Sequence, residues 1–223
     1  MTGALGFFHS GAMHVPVFEA MVRELAGEIP MRHAVRADLL ERAQVEGVTL
    51  AVQEEVAAEI LGLVETGAAV VVCTCSTLAP GAELAAGRTH VPVLRIDRPM
   101  VERALDCGRR ILIAAALAST LAPTRELVER VAAERRVVPL IRELVAEGAW
   151  PLFEAGNRED YARTIAAAVR PRAGEADVVI LAQASMAPAA ALLADLAIPV
   201  LASPRLGLER ALALRSRRLA DPA

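Results

Sequence analysis

One stretch of this chain comes twice. Val70-Val-Val-Cys-Thr-Cys-Ser-Thr-Leu-Ala-Pro80 lies without a gap over Val178-Val-Ile-Leu-Ala-Gln-Ala-Ser-Met-Ala-Pro188. Further on, Pro92-Val-Leu, Arg98 and Glu102-Arg-Ala-Leu105 lie over Pro199-Val-Leu, Arg205 and Glu209-Arg-Ala-Leu212. The starts agree more weakly, through Pro16 over Pro123 and Glu19 over Glu126. An offset of 107 to 108 residues is far too long for a solenoid repeat, and it suits a duplicated lobe.

What each copy folds into follows from its hydrophobic runs. Strand-like segments read at Ala4 to Phe8, Ala69 to Thr74, Val91 to Ile96, Ile111 to Ala116, Val178 to Ala182 and Ile198 to Ala202, each followed by a helical stretch. Two weaker strands read around Met31 to Val35 and Val137 to Ile141. Strands that alternate with helices form a parallel sheet covered on both faces. The expected fold is therefore α/β, with two pseudo-symmetric lobes of about four parallel strands each and a cleft between them. The first lobe is read as residues 1–98 plus 206–223, a final helix over Leu206 to Leu219 bringing the chain back to it, and the second as residues 99–205.

Composition narrows the chemistry. All 24 Lys-or-Arg positions are arginine, which removes Schiff-base catalysis and the Gly-Lys-Ser/Thr phosphate loop. A net charge of −3 with scattered charges shows neither the basic stripe of a nucleic-acid binder nor the polybasic run of a membrane-surface protein, so the expected partner is a small molecule. No Gly-x-Gly-x-x-Gly follows the first strand, and no His/Cys spacing suits zinc, so neither a dinucleotide nor a metal is expected. Three cysteines, with no signal-peptide pattern at the N-terminus, read as reduced thiols in a cytoplasmic protein.

In parallel α/β sheets ligands sit beyond the carboxyl ends of the strands. That rule selects His9 and Ser10, Cys75 to Thr77, Asp97, Leu117 to Thr120 and Gln183 to Ser185. Cys75 stands between a buried strand and Ser76-Thr77-Leu-Ala-Pro80, which reads as a helix start with hydroxyl caps. Backbone N–H groups and the helix dipole at such a place favour a thiolate and also hold a carboxylate. By position alone Cys75 reads equally as a small buried hydrophobe. Cys73 and Cys107 read as core, and His33 and His90 as surface or loop residues.

Cys75-Ser76-Thr77 resembles the first cysteine motif, Cys-Asn-Thr or a close variant, of the aspartate/glutamate/hydantoin racemase superfamily. The resemblance implies a two-lobed, cofactor-independent enzyme acting on a small carboxylic acid in the cleft, with pairing into a homodimer as a family trait. It also implies a second cysteine after the equivalent strand of the other lobe. The repeat places Gln183 there, followed by Ala184 and Ser185. Racemisation through a planar intermediate needs a proton donor or acceptor on each face, and a glutamine amide is neither. The expectation is single-thiol chemistry at the α-carbon, of decarboxylase or isomerase type; arylmalonate decarboxylase also works with one catalytic cysteine, the one in its second lobe. Two alternatives stand beside it: a racemase using Cys75 with His9 as second base, and a carboxylate-binding protein without catalysis. Gln183 reads either as a hydrogen-bond donor to an enediolate oxygen or as filler for the lost thiol, and Ser10, Ser76, Thr77, Thr120, Ala184 and Ser185 are the candidate substrate contacts.

Overall fold

A computed structural model describes residues 3–220 of the 223-residue chain. It contains two parallel four-stranded sheets flanked by helices. One compact unit comprises the described residues up to Ile96 together with those from Pro204 onward, and the other comprises Asp97–Ser203.

In unit 1 the elements run β1 (Ala4–His9), α1 (His14–Ala26), β2 (Met31–Val35), α2 (Ala37–Glu46), α3 (Leu50–Glu65), β3 (Ala68–Cys73), α4 (Ala79–Ala86) and β4 (Val93–Arg95). The sheet order is β2-β1-β3-β4. Every residue of β1 and β3 is buried, as central parallel strands covered on both faces must be. Their register sets Phe8 beside Cys73, and the β1–β2 register sets Phe7 beside His33. α3 begins at Thr49, whose hydroxyl accepts the Val52 N–H at 3.3 Å, and α3 then packs on α4. Gly81 allows that approach. A Cβ there would stand 2.5 Å from Val56 Cβ and 2.8 Å from the Gln53 carbonyl.

Unit 2 repeats the plan with α5 (Arg98–Cys107), β5 (Arg110–Ala115), α6 (Leu121–Glu134), β6 (Leu140–Val145), α7 (Ala149–Glu154), α8 (Arg158–Val169), β7 (Val178–Leu181), α9 (Ala187–Ala191) and β8 (Val200–Ala202). Its order, β6-β5-β7-β8, is that of unit 1 strand for strand. Leu112, Ile165, Val179, Leu181 and Met186 form the buried heart of a core that also takes in Tyr161. The last helix, α10 (Ser203–Ala220), belongs to unit 1, where the Arg215 guanidinium donates to the Gly3 carbonyl.

Some sequence expectations shift. The strand expected at Val137 to Ile141 runs instead over Leu140–Val145, and the final helix starts at Ser203 rather than Leu206. Val138 and Leu140 are exposed, so their apolar character marked the sheet's edge and not its core. Cys107 is half-buried at the end of α5, outside the core, whereas Cys73 is fully buried. Among the described residues no helix is long and apolar enough to cross a membrane.

Candidate functional site

The strand order itself points to a place in each unit. β1 leads to β2 on one side, and the chain then crosses back over β1 to add β3 on the other. Connections leave β1 and β3 in opposite directions, opening a crevice beyond their carboxyl ends. In unit 1 those ends carry His9 and Ser10, and Thr74 to Thr77. In unit 2 the equivalent ends of β5 and β7 carry Ala116 to Thr120, and Gln183 to Ser185.

At the unit 1 end, Thr74 ties the two central strands together. Its hydroxyl donates to the Phe8 carbonyl at 3.1 Å, which leaves its oxygen to accept from His9 Nδ1 at 2.8 Å. That assignment fixes the His9 tautomer: Nδ1 carries the proton and Nε2 is an acceptor, met by His33 Nδ1 at 3.0 Å. His33 Nε2 in turn lies 3.5 Å from Glu19 Oε1, on α1. The rings of His9 and His33 stack with centroids 5.3 Å apart, continued by Phe7 on one side and approached by His14 on the other. Burial, reinforced by the neighbouring His33 and His14, pushes the His9 pKa down to about 3. His33 is also lowered by burial, partly opposed by Glu19. His33 is therefore a partly buried strand residue in a ring stack, not the surface position expected from the sequence.

These contacts bear on His9 as a base. At neutral pH it is uncharged and fully buried, and both of its ring nitrogens are engaged by the protein. Its geometry is that of a structural clamp.

Cys75 follows β3 by two residues and is 9% exposed. The Cys73 thiol points at its carbonyl, with a sulfur-to-oxygen distance of 3.5 Å. Ser76 and Thr77 are buried beside it, and among the described residues the Ser76 hydroxyl has no hydrogen-bond partner. Neither residue stands in the cap position of the helix. The chain makes a turn in which Ala79 N–H reaches the Ser76 carbonyl at 3.4 Å, and α4 begins at Ala79 with Leu78 in the cap position. Cys75 therefore sits a turn upstream of the helix. Dipole stabilisation of its thiolate fades over that distance. Ser10 lies half-buried just past β1.

In unit 2, Gln183 is 9% exposed, and its side-chain oxygen accepts two backbone N–H groups, from Ala116 at 2.6 Å and Leu117 at 3.2 Å. Ala184 and Ser185 follow in a single 3-10 turn, half-buried. The Ser185 hydroxyl is bonded to the Tyr161 hydroxyl at 2.8 Å, which ties it to α8. Burial raises the Tyr161 pKa to about 12. Thr120 is buried at the start of α6 without a side-chain cap bond, and Asp97, also buried, stands in the cap position of α5, again without one. Thr74, Glu19 and Tyr161 are the organising residues that sequence reasoning missed. Thr74 alone left a signal, a hydroxyl between two cysteines at a strand end. Among the described residues no group of three or more His, Cys, Asp or Glu side chains could hold a metal ion.

A sequence model described as Asp/Glu/Hydantoin racemase matches residues 11–211. Among curated proteins none matches the sequence. Solved structures give the same fold. A glutamate racemase from Francisella tularensis subsp. tularensis SCHU S4, in complex with D-glutamate, has a TM-score of 0.75 at 11% identity, over 97% of this chain and 81% of that one. Glutamate racemase from Thermus thermophilus, in complex with Beta-chloro-D-alanine, has 0.72 at 23% identity, over 100% and 84%. An arylmalonate decarboxylase has 0.61 at 20% identity, over 95% and 92%. At such identities the likeness is one of architecture.

Proposed function

Since the chain belongs to the Asp/Glu/hydantoin racemase family, we propose that it is a cofactor-independent enzyme of isomerase or lyase type whose Cys75 transfers a proton at the α-carbon of a small carboxylic acid. The observation that carries this reading is the asymmetry of the two crevices. Unit 1 has a thiol just past β3, and unit 2 has at the matching position an amide whose oxygen is already bonded to backbone. A thiol exchanges a proton near neutral pH and an amide does not.

The chemistry that fits is one-sided. In a decarboxylation the bond from the α-carbon to one carboxylate breaks, its electron pair stays as an enediolate, and carbon dioxide leaves. The Cys75 S–H then protonates the α-carbon, and water restores the thiol. In an isomerisation the thiolate takes the α-proton and returns it elsewhere on the same face. Ser76, buried with an unpartnered hydroxyl, is a candidate donor to the substrate carboxylate, with Thr77 and Ser10 alongside. A racemase using His9 as second base is disfavoured, because both nitrogens of that ring are taken.

The test is turnover in D2O on phenylmalonate, aspartate, glutamate and a 5-substituted hydantoin. One deuterium in a single enantiomer of product, lost in Cys75→Ser, is the expected result. Deuterium in both enantiomers refutes the one-sided mechanism, and full activity of Cys75→Ser removes Cys75 from it. If no substrate turns over and Cys75 alkylates with iodoacetamide like an ordinary thiol, the chain is a carboxylate binder instead.

A further inference from the structure

Two N–H groups converging on one oxygen are what a protein backbone offers to a carboxylate or an enolate. In unit 2 such a pair exists at the end of β5, and the oxygen on it comes from the chain's own Gln183, at 2.6 Å from Ala116 N and 3.2 Å from Leu117 N. The repeat explains why. Unit 1 ties its central strand ends through side chains, His9 to Thr74. The counterparts of those two residues in unit 2 are Ala116 and Ala182, which have nothing to tie with. Gln183, one residue further, reaches across and bonds the neighbouring backbone. With its oxygen on two donors the amide cannot flip, since a flip would set NH2 against two N–H groups. Its nitrogen then points away, hydrogen-bonded to nothing among the described residues.

We propose that the Gln183 side-chain oxygen is a resident occupant of an oxyanion pair formed by the Ala116 and Leu117 N–H groups, so that unit 2 is closed to a substrate carboxylate and presents only the amide NH2. Gln183 is thus a specificity-determining residue. Resting on the reading given under Proposed function, this limits the substrate class by what the unit 2 crevice can accept: at that place, an acceptor able to take a single N–H from the Gln183 amide. A second carboxylate cradled by unit 2 amides is excluded, and so is an ammonium group placed against the NH2, donor against donor.

Occupancy can be tested without any substrate. Gln183→Ala orphans both N–H groups and is expected to melt about 5 °C below the wild type. Sodium formate and acetamide, small carriers of the missing oxygen, are expected to recover part of that loss, while sodium chloride at equal ionic strength does not. Gln183→Glu keeps the oxygen, so it is expected to melt near the wild type and to ignore formate. In its 1H–15N spectrum the Ala116 and Leu117 amide protons should move downfield together, returning as its carboxyl is protonated. A Gln183→Ala variant that melts with the wild type, or responds to neither additive, overturns the proposal. If that variant does not fold, unmoved Ala116 and Leu117 amides in Gln183→Glu overturn it equally. Neither readout uses Cys75 or turnover, so this inference and the proposed chemistry fail separately.

Discussion

Acid should destabilise this protein through His9 before it protonates most carboxylates. The ring is held neutral in the fold with a pKa of about 3, against 6.5 when unfolded, burial being the main cause and the His33 and His14 charges the lesser ones. A histidine with a lowered folded pKa contributes stability that is fully present above the unfolded value. That stability is lost as pH falls from 6.5 toward 3, because the unfolded chain binds the proton first. Between pH 7 and pH 5 the loss from this one ring is about 2 kcal/mol, and by pH 4 about 3 kcal/mol. Other charges bear on the same stack: His33 and Glu19 face each other at 3.5 Å, and His14 stacks on His9 from α1. His9→Gln keeps a donor and an acceptor but removes the titration. Urea unfolding of both proteins at pH 7 and pH 5 isolates the effect, since the packing cost of the substitution is common to both pH values. The wild type should lose about 2 kcal/mol more than the variant. Equal losses, within about 0.5 kcal/mol, refute the neutral-clamp argument. So does a 15N spectrum at pH 5 in which His9 is protonated on both nitrogens.

Tyr161 is the only tyrosine, so absorbance at alkaline pH reports on it alone: phenolate should be absent at pH 10 and should appear near pH 12. Tyr161→Phe should cost about 1 kcal/mol by denaturant melts, the usual worth of one hydrogen bond, and should free the Ser185 hydroxyl. Gly81→Ala should destabilise by about 1–2 kcal/mol in spite of better helix propensity, because the new methyl meets Val56 and the Gln53 carbonyl. Gly62→Ala in α3, where a Cβ meets nothing within 4 Å, should stabilise by up to about 1 kcal/mol, and a pair of thermal melts checks both.

The sequence announced its architecture through the duplicated Val-rich strands, because buried parallel strands are continuous apolar runs that few other structures require. It misplaced β6 because an edge strand carries Arg142 and Glu143 in its middle, while the apolar Val138 before it and Leu140 at its start face solvent. The positions flanking the central strand ends were legible, as topology fixes them. Their contacts were not. His9 meets Thr74 and His33 only through the register of β1 with β3 and β2, across separations of 65 and 24 residues. The partners of Gln183 are backbone N–H groups, which every residue but proline owns, so no pattern of residue types reveals them. Ser76 and Thr77 looked like caps because hydroxyls before Leu-Ala-Pro usually are. The helix starts later than they suggest, with Leu78 in the cap position after a turn closed by the Ser76 carbonyl.

The return of the chain to unit 1 after Ser203 has a consequence for synthesis. A ribosome releases the described elements of unit 2 as one uninterrupted stretch, whereas unit 1 waits for α10, which is made after all of them. Until then Ile96 lacks the close cover of Gly207, where even a methyl group would stand 2.6 Å from its carbonyl oxygen. A stalled nascent chain ending near Ser203 should therefore hold a protease-resistant unit 2 beside an unfinished unit 1.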